Sequence, residues 1–311
     1  MAIRLFIDGA AGTTGLEIRE RLKGRSEFEL LLLDDAQRKD ENARRDALHA
    51  ADIAILCLPD DAAKEAAKLA AGSGTRIIDA SSAHRVADGW RYGFPELVGR
   101  DTIADAQLVS NPGCYPTGFL GLIAPLVRAG LLPADWPYTI NAVSGYSGGG
   151  NALIARFESA DAPAYRAYGF DMAHKHLPEM KRYADLRHDV IFSPAVVPAY
   201  RGMVVEIPLH LGAMPGSPDA GRLRASLRDF YEGSQIVKVG DDGAVNELLL
   251  DRSTPASDEM SLYVFANQGG WHARLVAVLD NLGKGASGAA IQNLNVMCGL
   301  PETTGLRLGN A

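Results

Sequence analysis

Residues 110–118 (SNPGCYPTG) combine a nucleophile, Cys114, with residue types that form tight turns. A short apolar run ends at Ser110 and a longer one extends over residues 117–127, which predicts a strand, a turn and a helix. A thiol at the start of a helix lies near free N–H groups and the positive end of the helix dipole, and both stabilise a thiolate. The same N–H groups could bind an oxyanion. We therefore predict that Cys114 is a catalytic nucleophile.

Composition and charge exclude several classes of protein. The net charge of −7 argues against a protein that binds nucleic acid through its phosphates. No apolar run approaches the length of a membrane span, and the N-terminus predicts no signal peptide. The other cysteines, Cys57 and Cys298, lie in apolar runs and are expected to be structural. Three cysteines cannot form a closed set of disulfides, so we expect a cytoplasmic protein. From the charge and the lengths of the apolar runs we expect no nucleic-acid and no membrane partner.

A glycine-rich segment at residues 8–15 (DGAAGTTG) follows the first predicted strand. Its glycines recur every three residues before a helical stretch, which is typical of a turn that binds a dinucleotide. Small residues let the backbone approach a pyrophosphate, whose charge the helix N-terminus favours. A tight turn without a ligand is the alternative. The predicted cofactor contacts are Gly9, Ala11, Gly12, Thr13, Thr14 and Gly15.

The end of the second predicted strand bears on the choice between NAD and NADP. Asp34 and Asp35 stand about twenty residues beyond the glycine segment, where an acidic side chain could bind a ribose hydroxyl. Arg38 and Lys39 follow at once, and two cations there could bind a 2′-phosphate. A solvated charged turn is the alternative. We favour NADP, with Arg38 and Lys39 as its phosphate contacts.

The first part of the chain alternates between strands and helices. This alternation favours an α/β fold with a Rossmann-like parallel sheet and helices on its faces. The stretch between Leu33 and Ile53 leaves little room for a full second crossover helix. The predicted strands are 3–8, 30–33, 53–58, 76–80 and 107–110, and the predicted helices include 14–23 and 61–71.

The second part predicts a mixed α+β domain. Residues 203–211 alternate between apolar and polar side chains, which is typical of a half-buried antiparallel strand. Further strands are expected at 138–143, 261–267 and 272–279, and helices at 178–185, 221–232 and 286–298. We expect the last helix to return to the N-terminal domain. The predicted domains are a dinucleotide-binding domain (1–114, with 286–311 packed against it) and a catalytic and dimerisation domain (115–285).

Five segments together resemble the N-acetyl-gamma-glutamyl-phosphate reductase family. That family is related to the aspartate-semialdehyde dehydrogenases and more distantly to the glyceraldehyde-3-phosphate dehydrogenases. The segments occur in order over most of the chain, whose length is similar to the shorter of the family's two length classes. They are residues 9–15, 110–118, 143–150 (VSGYSGGG), 174–179 (HKHLPE) and 279–288 (LDNLGKGASG).

The resemblance implies NADPH-dependent reduction of N-acetyl-glutamyl 5-phosphate to N-acetyl-glutamate 5-semialdehyde and phosphate, a step of arginine biosynthesis. The residues suit this chemistry, because a Cys114 thiolate can form a thioester that a hydride then reduces. The family also suggests a homo-oligomer, either a dimer or a tetramer. Three alternatives are a reductase of another acyl phosphate (aspartyl or aminoadipyl), a non-catalytic dinucleotide-binding protein, and a thiol hydrolase, which would not need the glycine segment.

Two histidines in the segment 174–179 are candidates for the acid/base group. His174 and His176 stand just before a predicted helix start, and histidine is the usual proton carrier near neutral pH. The match to the family motif supports the pair. We predict His176 as the acid/base and keep His174 as the alternative. No other His or Cys stands at ligand spacing from them, so we expect no metal site.

The residues expected to bind the substrate follow predicted strands or lie in a loop that the family uses. Arg85 is the candidate for the phosphate, and Arg201 for the α-carboxylate or the phosphate. Asn111 could orient the substrate or the nicotinamide amide. Ser144 and Gly145 open a glycine-rich loop, which in the family borders the cleft and could bind the substrate through its backbone.

Overall fold

The computed structural model describes residues 2–241 and 245–309. By its internal contacts the described chain divides into two compact units. The first consists of the residues up to 112 together with 286–306. The second consists of residues 113–285 together with those from 307 onward.

The first unit contains a parallel sheet with the strand order β2-β1-β3-β4-β6-β5. The predicted Rossmann-like sheet is confirmed. Its elements up to the second unit are β1 (Ile3–Asp8), α1 (Thr13–Arg21), β2 (Phe28–Leu31), α2 (Glu41–Ala50), β3 (Ile53–Leu56), α3 (Asp60–Leu69), β4 (Arg76–Asp79), β5 (Arg91–Tyr92), α4 (Pro95–Val98), α5 (Arg100–Ala104) and β6 (Leu108–Ser110).

The second unit contains a mixed sheet with the strand order β11-β12-β13-β10-β7-β9-β8. β7 runs parallel to β9, whereas β10 runs antiparallel to both β7 and β13, so the predicted α+β character is confirmed. Its elements are α6 (Cys114–Arg128), β7 (Thr139–Gly145), α7 (Gly150–Phe157), β8 (Arg166–Ala167), α8 (Leu177–Tyr183), β9 (Ile191–Val197), β10 (Met203–Leu209), α9 (Ala220–Phe230), β11 (Val237–Val239), β12 (Met260–Ala266) and β13 (Ala273–Leu279).

The last helix belongs to the first unit, as predicted. A π-helical turn (Gly283–Ser287) leads into α10 (Gly288–Met297). Leu294 of α10 is buried in one apolar cluster with Leu5 and Ile7 of β1 and Ile18 of α1. Leu5 and Ile7 alternate along β1 with Phe6, which points to the other face. The helices α1 and α10 therefore cover one face of the parallel sheet.

The opposite face of this sheet is covered by α2 and α3. Phe6 lies there in a second apolar cluster with Ala47 and Leu48 of α2 and Ala66 of α3. Because apolar side chains leave β1 on both faces, burial on each face requires helices on each side. The first unit is therefore a three-layer α/β structure.

The expectation that little room exists for a helix between β2 and β3 was wrong. α2 has ten residues, and Asp40 caps it by accepting a 2.8 Å hydrogen bond from the Ala43 N–H. Ten helical residues rise about 15 Å, and a four-residue strand extends about 13 Å. A helix of this length is therefore enough to return along the short strands of this sheet. The capping aspartate was the signal that could have predicted α2.

In the second unit, α6 packs closely on the mixed sheet. A Cβ atom at Gly118 would lie 2.8 Å from the Cγ2 atom of Val205, and one at Gly121 would lie 2.7 Å from the Cε atom of Met260. Gly118 therefore permits a helix–sheet distance that a larger residue would prevent, whereas at Gly121 the end of the flexible Met260 side chain would have to move. The predicted alternation of β10 is also confirmed, since Met203, Val205, Ile207 and Leu209 are buried and the residues between them are less so.

Within residues 2–241 and 245–309, no helix is long and apolar enough to cross a membrane.

Candidate active site

Cys114 is the first residue of α6, so its predicted position at a helix start is confirmed. Gly113 precedes it as the N-cap residue and makes no side-chain capping bond, and the first turn contains no acidic residue. The positive end of the α6 dipole therefore faces the thiol without a carboxylate of the same turn beside it. This arrangement favours the thiolate form.

Glu179 is a buried carboxylate beside the cysteine turn. Its Oε2 atom accepts a 3.1 Å hydrogen bond from the N–H of Gly113, the residue before Cys114. Glu179 lies in the first turn of α8, where the helix dipole stabilises negative charge. Glu179 stands in one of the family segments, but no role was predicted for it. Its place in that segment was the signal that could have been used.

Both candidate histidines lie beside Tyr115, the residue that follows Cys114. The ring centroids of His174 and His176 are 6.1 and 5.9 Å from that of Tyr115, and 4.6 Å from each other. His176 is buried, and its backbone N–H donates a 3.2 Å hydrogen bond to Nδ1 of His174. The fold therefore gathers both imidazoles near the start of α6. The choice of His176 over His174 stays a prediction.

The two phenols next to these histidines keep their protons at neutral pH. Burial raises the pKa of Tyr115 well above its ordinary value, and burial also raises the pKa of Tyr168. The Tyr115 hydroxyl donates a 3.2 Å hydrogen bond to the carbonyl oxygen of Ala195, and the Tyr168 hydroxyl donates to Tyr115 at 3.4 Å. These groups position the site, and the imidazoles are the better candidates for proton transfer.

The segment after β13 packs directly against the nucleophile. A Cβ atom at Gly285 would lie 2.9 Å from the Cβ atom of Cys114, so only glycine fits there. At the start of the segment, buried Asp280 accepts a 2.9 Å hydrogen bond from the Leu282 N–H at Oδ1. Its Oδ2 atom forms a 3.0 Å ion pair with Nη1 of Arg201. Asp280 therefore fixes the guanidinium that the sequence predicts to bind the substrate.

The loop that begins at the end of β7 also approaches Arg201. A Cβ atom at Gly145 would lie 2.8 Å from the carbonyl oxygen of Ala199 and 2.9 Å from the Cα atom of Arg201. Glycine at position 145 is therefore a packing requirement. The hydroxyl of buried Ser144 donates a 3.0 Å hydrogen bond to the carbonyl oxygen of Gly145. Whether these residues also bind the substrate stays a prediction.

Asn281 links these two segments and had no predicted role. Its Oδ1 atom accepts a 2.9 Å hydrogen bond from the Gly202 N–H, and its Nδ2 atom donates a 2.9 Å hydrogen bond to Oγ of Ser147. Both polar ends of a buried amide are thus used, which stabilises one arrangement of the loops. The residue stands in the segment 279–288 that carried the family resemblance, and that was its signal.

In the first unit, the three glycines of the N-terminal loop have different reasons to be glycine. Gly9 has φ +85°, and a Cβ atom on it would lie 2.3 Å from the carbonyl oxygen of Cys57. A Cβ atom on Gly15 would lie 2.8 Å from the Cα atom of Ala10. At Gly12 the nearest atom would be the Gly9 oxygen at 3.6 Å, an ordinary contact. Gly12, the N-cap of α1, therefore leaves space that fits the approach of a pyrophosphate.

Asp8 at the end of β1 is held by a residue that sequence reasoning missed. Arg44 of α2 donates to the Oδ2 atom of Asp8 from Nε at 3.1 Å and from Nη2 at 2.8 Å. The Asp8 side chain is buried and that of Arg44 is 11% exposed. Because α2 was not expected, its arginine could not be assigned.

The predicted 2′-phosphate contacts lie in an exposed turn after β2. Arg38 forms a 3.2 Å ion pair with Asp35, and Lys39 is exposed. The Oδ1 atom of Asp34 accepts hydrogen bonds from the N–H groups of Ala36 (2.9 Å) and residue 37 (2.8 Å). This carboxylate thus serves its own turn, which makes it a weaker candidate for a ribose hydroxyl.

Asn111 and Arg85 form part of the internal structure of the first unit. The Asn111 Nδ2 atom donates a 2.9 Å hydrogen bond to the carbonyl oxygen of Ala286, and its Oδ1 atom accepts one of 3.1 Å from Asn293. Buried Arg85 donates from Nε to the Asn111 carbonyl oxygen at 3.0 Å. Substrate binding by these two side chains stays a prediction, and it must be compatible with these bonds.

In the part of the chain that the structure describes, no group of three or more His, Cys, Asp or Glu side chains could hold a metal ion.

The candidate residues divide between the two units. The second unit contains Cys114, His176, Ser144, Gly145 and Arg201. The first unit contains Gly9, Ala11, Gly12, Thr13, Thr14, Gly15, Arg38, Lys39, Arg85 and Asn111.

Comparison with known proteins places this fold and site in a class. Residues 4–106 match the family model described as semialdehyde dehydrogenase, NAD binding domain, and residues 114–281 match semialdehyde dehydrogenase, dimerisation domain. Aspartate semialdehyde dehydrogenase II from Vibrio cholerae has the same fold, with a TM-score of 0.71 at 18% identity over 96% of this chain and 98% of the other. The enzyme from Candida albicans, solved with NADP, has a TM-score of 0.66 at 15% identity over 96% and 99%. The class is that of the two-domain semialdehyde dehydrogenases.

Sequence similarity defines the family more narrowly. The N-acetyl-gamma-glutamyl-phosphate reductase of Brucella ovis is 49% identical over 96% of this chain and 100% of its own length. The Brucella anthropi protein of the same name is 48% identical over 96% and 99%. The chain belongs to the N-acetyl-gamma-glutamyl-phosphate reductase family, and the resemblance read from its motifs is confirmed.

Proposed function

We propose that the protein reduces N-acetyl-glutamyl 5-phosphate with NADPH, giving N-acetyl-glutamate 5-semialdehyde, NADP and phosphate. Support comes from relatives named for this activity that are 49% identical over 96% of the chain. The observation that carries the proposal is the position of Cys114 as the first residue of α6. The reaction is a step of arginine biosynthesis, and we propose a cytoplasmic location for it.

Cys114 acts as the nucleophile. Its thiolate attacks the acyl carbon, a C–S bond forms while the C–O bond to phosphate breaks, and a thioester remains on the protein. Bound NADPH supplies the hydride for the carbonyl carbon of this thioester. The thiohemiacetal on Cys114 then collapses, which breaks the C–S bond, releases the aldehyde and restores the thiolate.

His176 carries the proton. It accepts the proton of the Cys114 thiol before attack, and as an imidazolium it donates a hydrogen bond to the carbonyl oxygen that gains negative charge. The N–H groups at the start of α6 stabilise the same oxygen. His174, whose Nδ1 atom accepts the His176 N–H, holds the backbone of that histidine in place.

The substrate's negative charges meet arginines. Arg201 binds the α-carboxylate or the phosphate, with its guanidinium already oriented by a buried carboxylate. Arg85 binds the phosphate, and Asn111 orients the substrate or the nicotinamide amide. The backbone of Ser144 and Gly145 borders the bound substrate.

The cofactor is NADP, bound by the glycine loop of the first unit. The open space at Gly12 and the N-terminus of α1 suit the pyrophosphate. The exposed cations Arg38 and Lys39 suit the 2′-phosphate, and the engagement of Asp34 within its own turn favours NADP over NAD. We also propose a homo-oligomer, a dimer or a tetramer, since residues 114–281 match a dimerisation domain.

A coupled assay in the reverse direction tests the proposal. Purified protein is mixed with N-acetyl-glutamate 5-semialdehyde, phosphate and NADP, and the absorbance of reduced cofactor is followed. The controls replace NADP by NAD, omit phosphate, or replace the substrate by the aspartate or aminoadipate semialdehyde. We expect phosphate-dependent reduction with the acetylated substrate and NADP. Activity with another semialdehyde alone would overturn the substrate, and inactivity of folded protein that binds NADP would overturn the reaction.

Two sets of variants test the roles of the site residues. Cys114→Ala is expected to abolish turnover while NADPH still binds, because the thiol forms the intermediate and does not hold the cofactor. Residual reductase activity in that variant would contradict the covalent mechanism. His176→Asn should lower kcat more than the matched variant His174→Asn, and the reverse order would transfer the proton-carrying role to His174.

A further inference from the structure

The loop after β4 contains an oriented imidazole that the proposed mechanism does not use. The Nδ1 atom of His84 lies 2.6 Å from Oδ2 of Asp79, the last residue of β4. Asp79 is fully buried, and it also accepts 2.8 Å hydrogen bonds from the N–H and the hydroxyl of Ser81. Because an ionised carboxylate only accepts hydrogen bonds, Nδ1 of His84 is the protonated nitrogen. In the tautomer with its proton on Nδ1, the ring presents Nε2 as an acceptor.

A second contact fixes the plane of this ring. Trp90 stacks on His84 with ring centroids 4.1 Å apart and an interplanar angle of 9°. The carboxylate of Asp79 sets the rotation of the imidazole and the indole sets its plane. Across residues 2–241 and 245–309, the Nε2 atom of His84 makes no hydrogen bond. Such double orientation of a half-buried imidazole is typical of a group that meets a ligand.

The His84 loop is tied to the glycine loop through the end of β3. The N–H and hydroxyl of Ser82 donate hydrogen bonds of 2.9 and 2.6 Å to the carboxylate of Asp60, the first residue of α3. Cys57 follows the end of β3. Its N–H donates to the Asp8 carbonyl oxygen at 2.8 Å, and Gly9 packs against its carbonyl group. The loops after β1, β3 and β4 therefore form one connected surface at the carboxyl edge of the sheet.

The strand order sets His84 apart from the predicted 2′-phosphate contacts. In the order β2-β1-β3-β4, the turn with Arg38 and Lys39 follows β2, on the opposite side of β1 from β4. Neighbouring strands are about 4.8 Å apart, so β4 lies about 10 Å from β1. A dinucleotide whose pyrophosphate rests on the loop after β1 extends one ribose toward β2 and the other toward β4.

We propose that Nε2 of His84 accepts a hydrogen bond from a hydroxyl of the nicotinamide ribose of the bound dinucleotide. The inference rests on the proposed function, since it requires the first unit to bind NADP. The inference assigns a role to His84 in the segment after β4. The next residue, Arg85, donates from Nε to a backbone carbonyl oxygen. His84 is a binding residue for the cofactor and takes no part in proton transfer.

Equilibrium binding to the full-length protein without substrate tests the proposal. The dissociation constants of NADP and of 2′,5′-ADP, which lacks the nicotinamide half, are measured by calorimetry. His84→Phe keeps a ring against Trp90 and should bind NADP about fivefold more weakly, the effect of one hydrogen bond, with unchanged affinity for 2′,5′-ADP. The matched control is His49→Phe, which changes an exposed histidine of α2 whose Nε2 lies 2.9 Å from the Leu69 carbonyl oxygen. It should leave both constants unchanged.

Equal NADP affinity in wild type and His84→Phe would overturn the proposal, as would an equal loss of affinity for both ligands. A measurement on the wild type covers the case in which the variant does not fold. Exchange of the Cε1 hydrogen of each histidine is followed by mass spectrometry, and NADP should slow it at His84 and not at His49. Slowing by inorganic phosphate instead would refute the ribose contact. A wild type that does not bind NADP at all would refute the proposed function itself.

Discussion

The three cysteines are expected to differ widely in their reactivity toward iodoacetamide, with Cys114 the fastest. Burial raises the pKa of the Cys57 thiol to about 12, and the nearby carboxylates of Asp79 and Asp8 act in the same direction. Burial also raises the pKa of the Cys298 thiol to about 11. Because the thiolate is the form that reacts, both groups are expected to react more slowly than an ordinary thiol at neutral pH.

The size of the difference follows from these values. At pH 8 about a quarter of an unperturbed thiol with a pKa near 8.5 is ionised. The ionised fraction is about one in a thousand for Cys298 and about one in ten thousand for Cys57. A thiolate of higher pKa is intrinsically more nucleophilic, with a Brønsted slope of about 0.45, which recovers about 13-fold and 38-fold. The net rates are therefore about 20-fold and about 60-fold below that of an ordinary thiol.

The assay is a time course of alkylation of the folded protein, quenched and analysed by peptide mass spectrometry. Raising the pH from 8 to 9 should speed labelling of Cys57 and Cys298 about tenfold, and that of an ordinary thiol only about threefold. The control, Cys114→Ser, should lose the fast reaction and keep the two slow ones. If Cys57 or Cys298 reacted as fast as Cys114 in the folded protein, the assignment of Cys114 as the activated thiol would be refuted.

Two further predictions concern the glycine loop after β1 and the turn before Cys114. Gly9→Ala should lower the Tm strongly, because its Cβ atom would lie 2.3 Å from the Cys57 oxygen at φ +85°, whereas Gly12→Ala should keep the Tm and weaken NADP binding about tenfold or more. Thermal denaturation and calorimetry separate the two effects, and normal NADP affinity in Gly12→Ala would contradict the pyrophosphate site. Glu179→Ala should lower kcat about tenfold by releasing the Gly113 N–H, while Glu179→Gln, which keeps an acceptor oxygen, should restore most of it. Equal kcat in both variants and the wild type would show that this bond does not position the cysteine turn.

The fold was predictable where local pattern and global packing agree. β1 and β3 are short apolar runs because both faces of a parallel sheet are buried. In the first unit, helices cover both faces. The prediction missed helix α2 because it rested on the length of the stretch between Leu33 and Ile53 alone. The decisive local feature was the cap at Asp40. The helix that follows it buries only Ala47 and Leu48. A helix that buries only two residues has few apolar positions to reveal it, and its cap is the clearer signal.

The candidate site was predictable to the extent that its residues stand in contiguous segments. Cys114 and the histidine pair could be read from their neighbours along the chain. Glu179 and Asp280 also stand in family segments, but their roles could not be read from them. Each acts through a partner far away in sequence: the Gly113 N–H for Glu179, and a guanidinium seventy-nine residues distant for Asp280. Such partnerships depend on tertiary packing, which a single sequence does not display.

The caps of the helices show how the chain distributes its own hydrogen-bonding groups. α2 and α9 begin with Asp40 and Asp219, whose side chains accept a backbone N–H of the first turn. α1 and α6 begin with Gly12 and Gly113, which make no such bond. A glycine cap costs only a few tenths of a kcal/mol relative to a capping side chain, so leaving a helix start open is inexpensive. On the proposed function the open ends serve the pyrophosphate and the Cys114 thiolate, both of which are anions that the helix dipole stabilises. An aspartate at either cap would compete for these N–H groups and add a negative charge, which at α6 would stand beside the Glu179 carboxylate that already accepts the Gly113 N–H. On the proposed function, glycine at these two positions therefore leaves room for an anion at little cost to the stability of the helices.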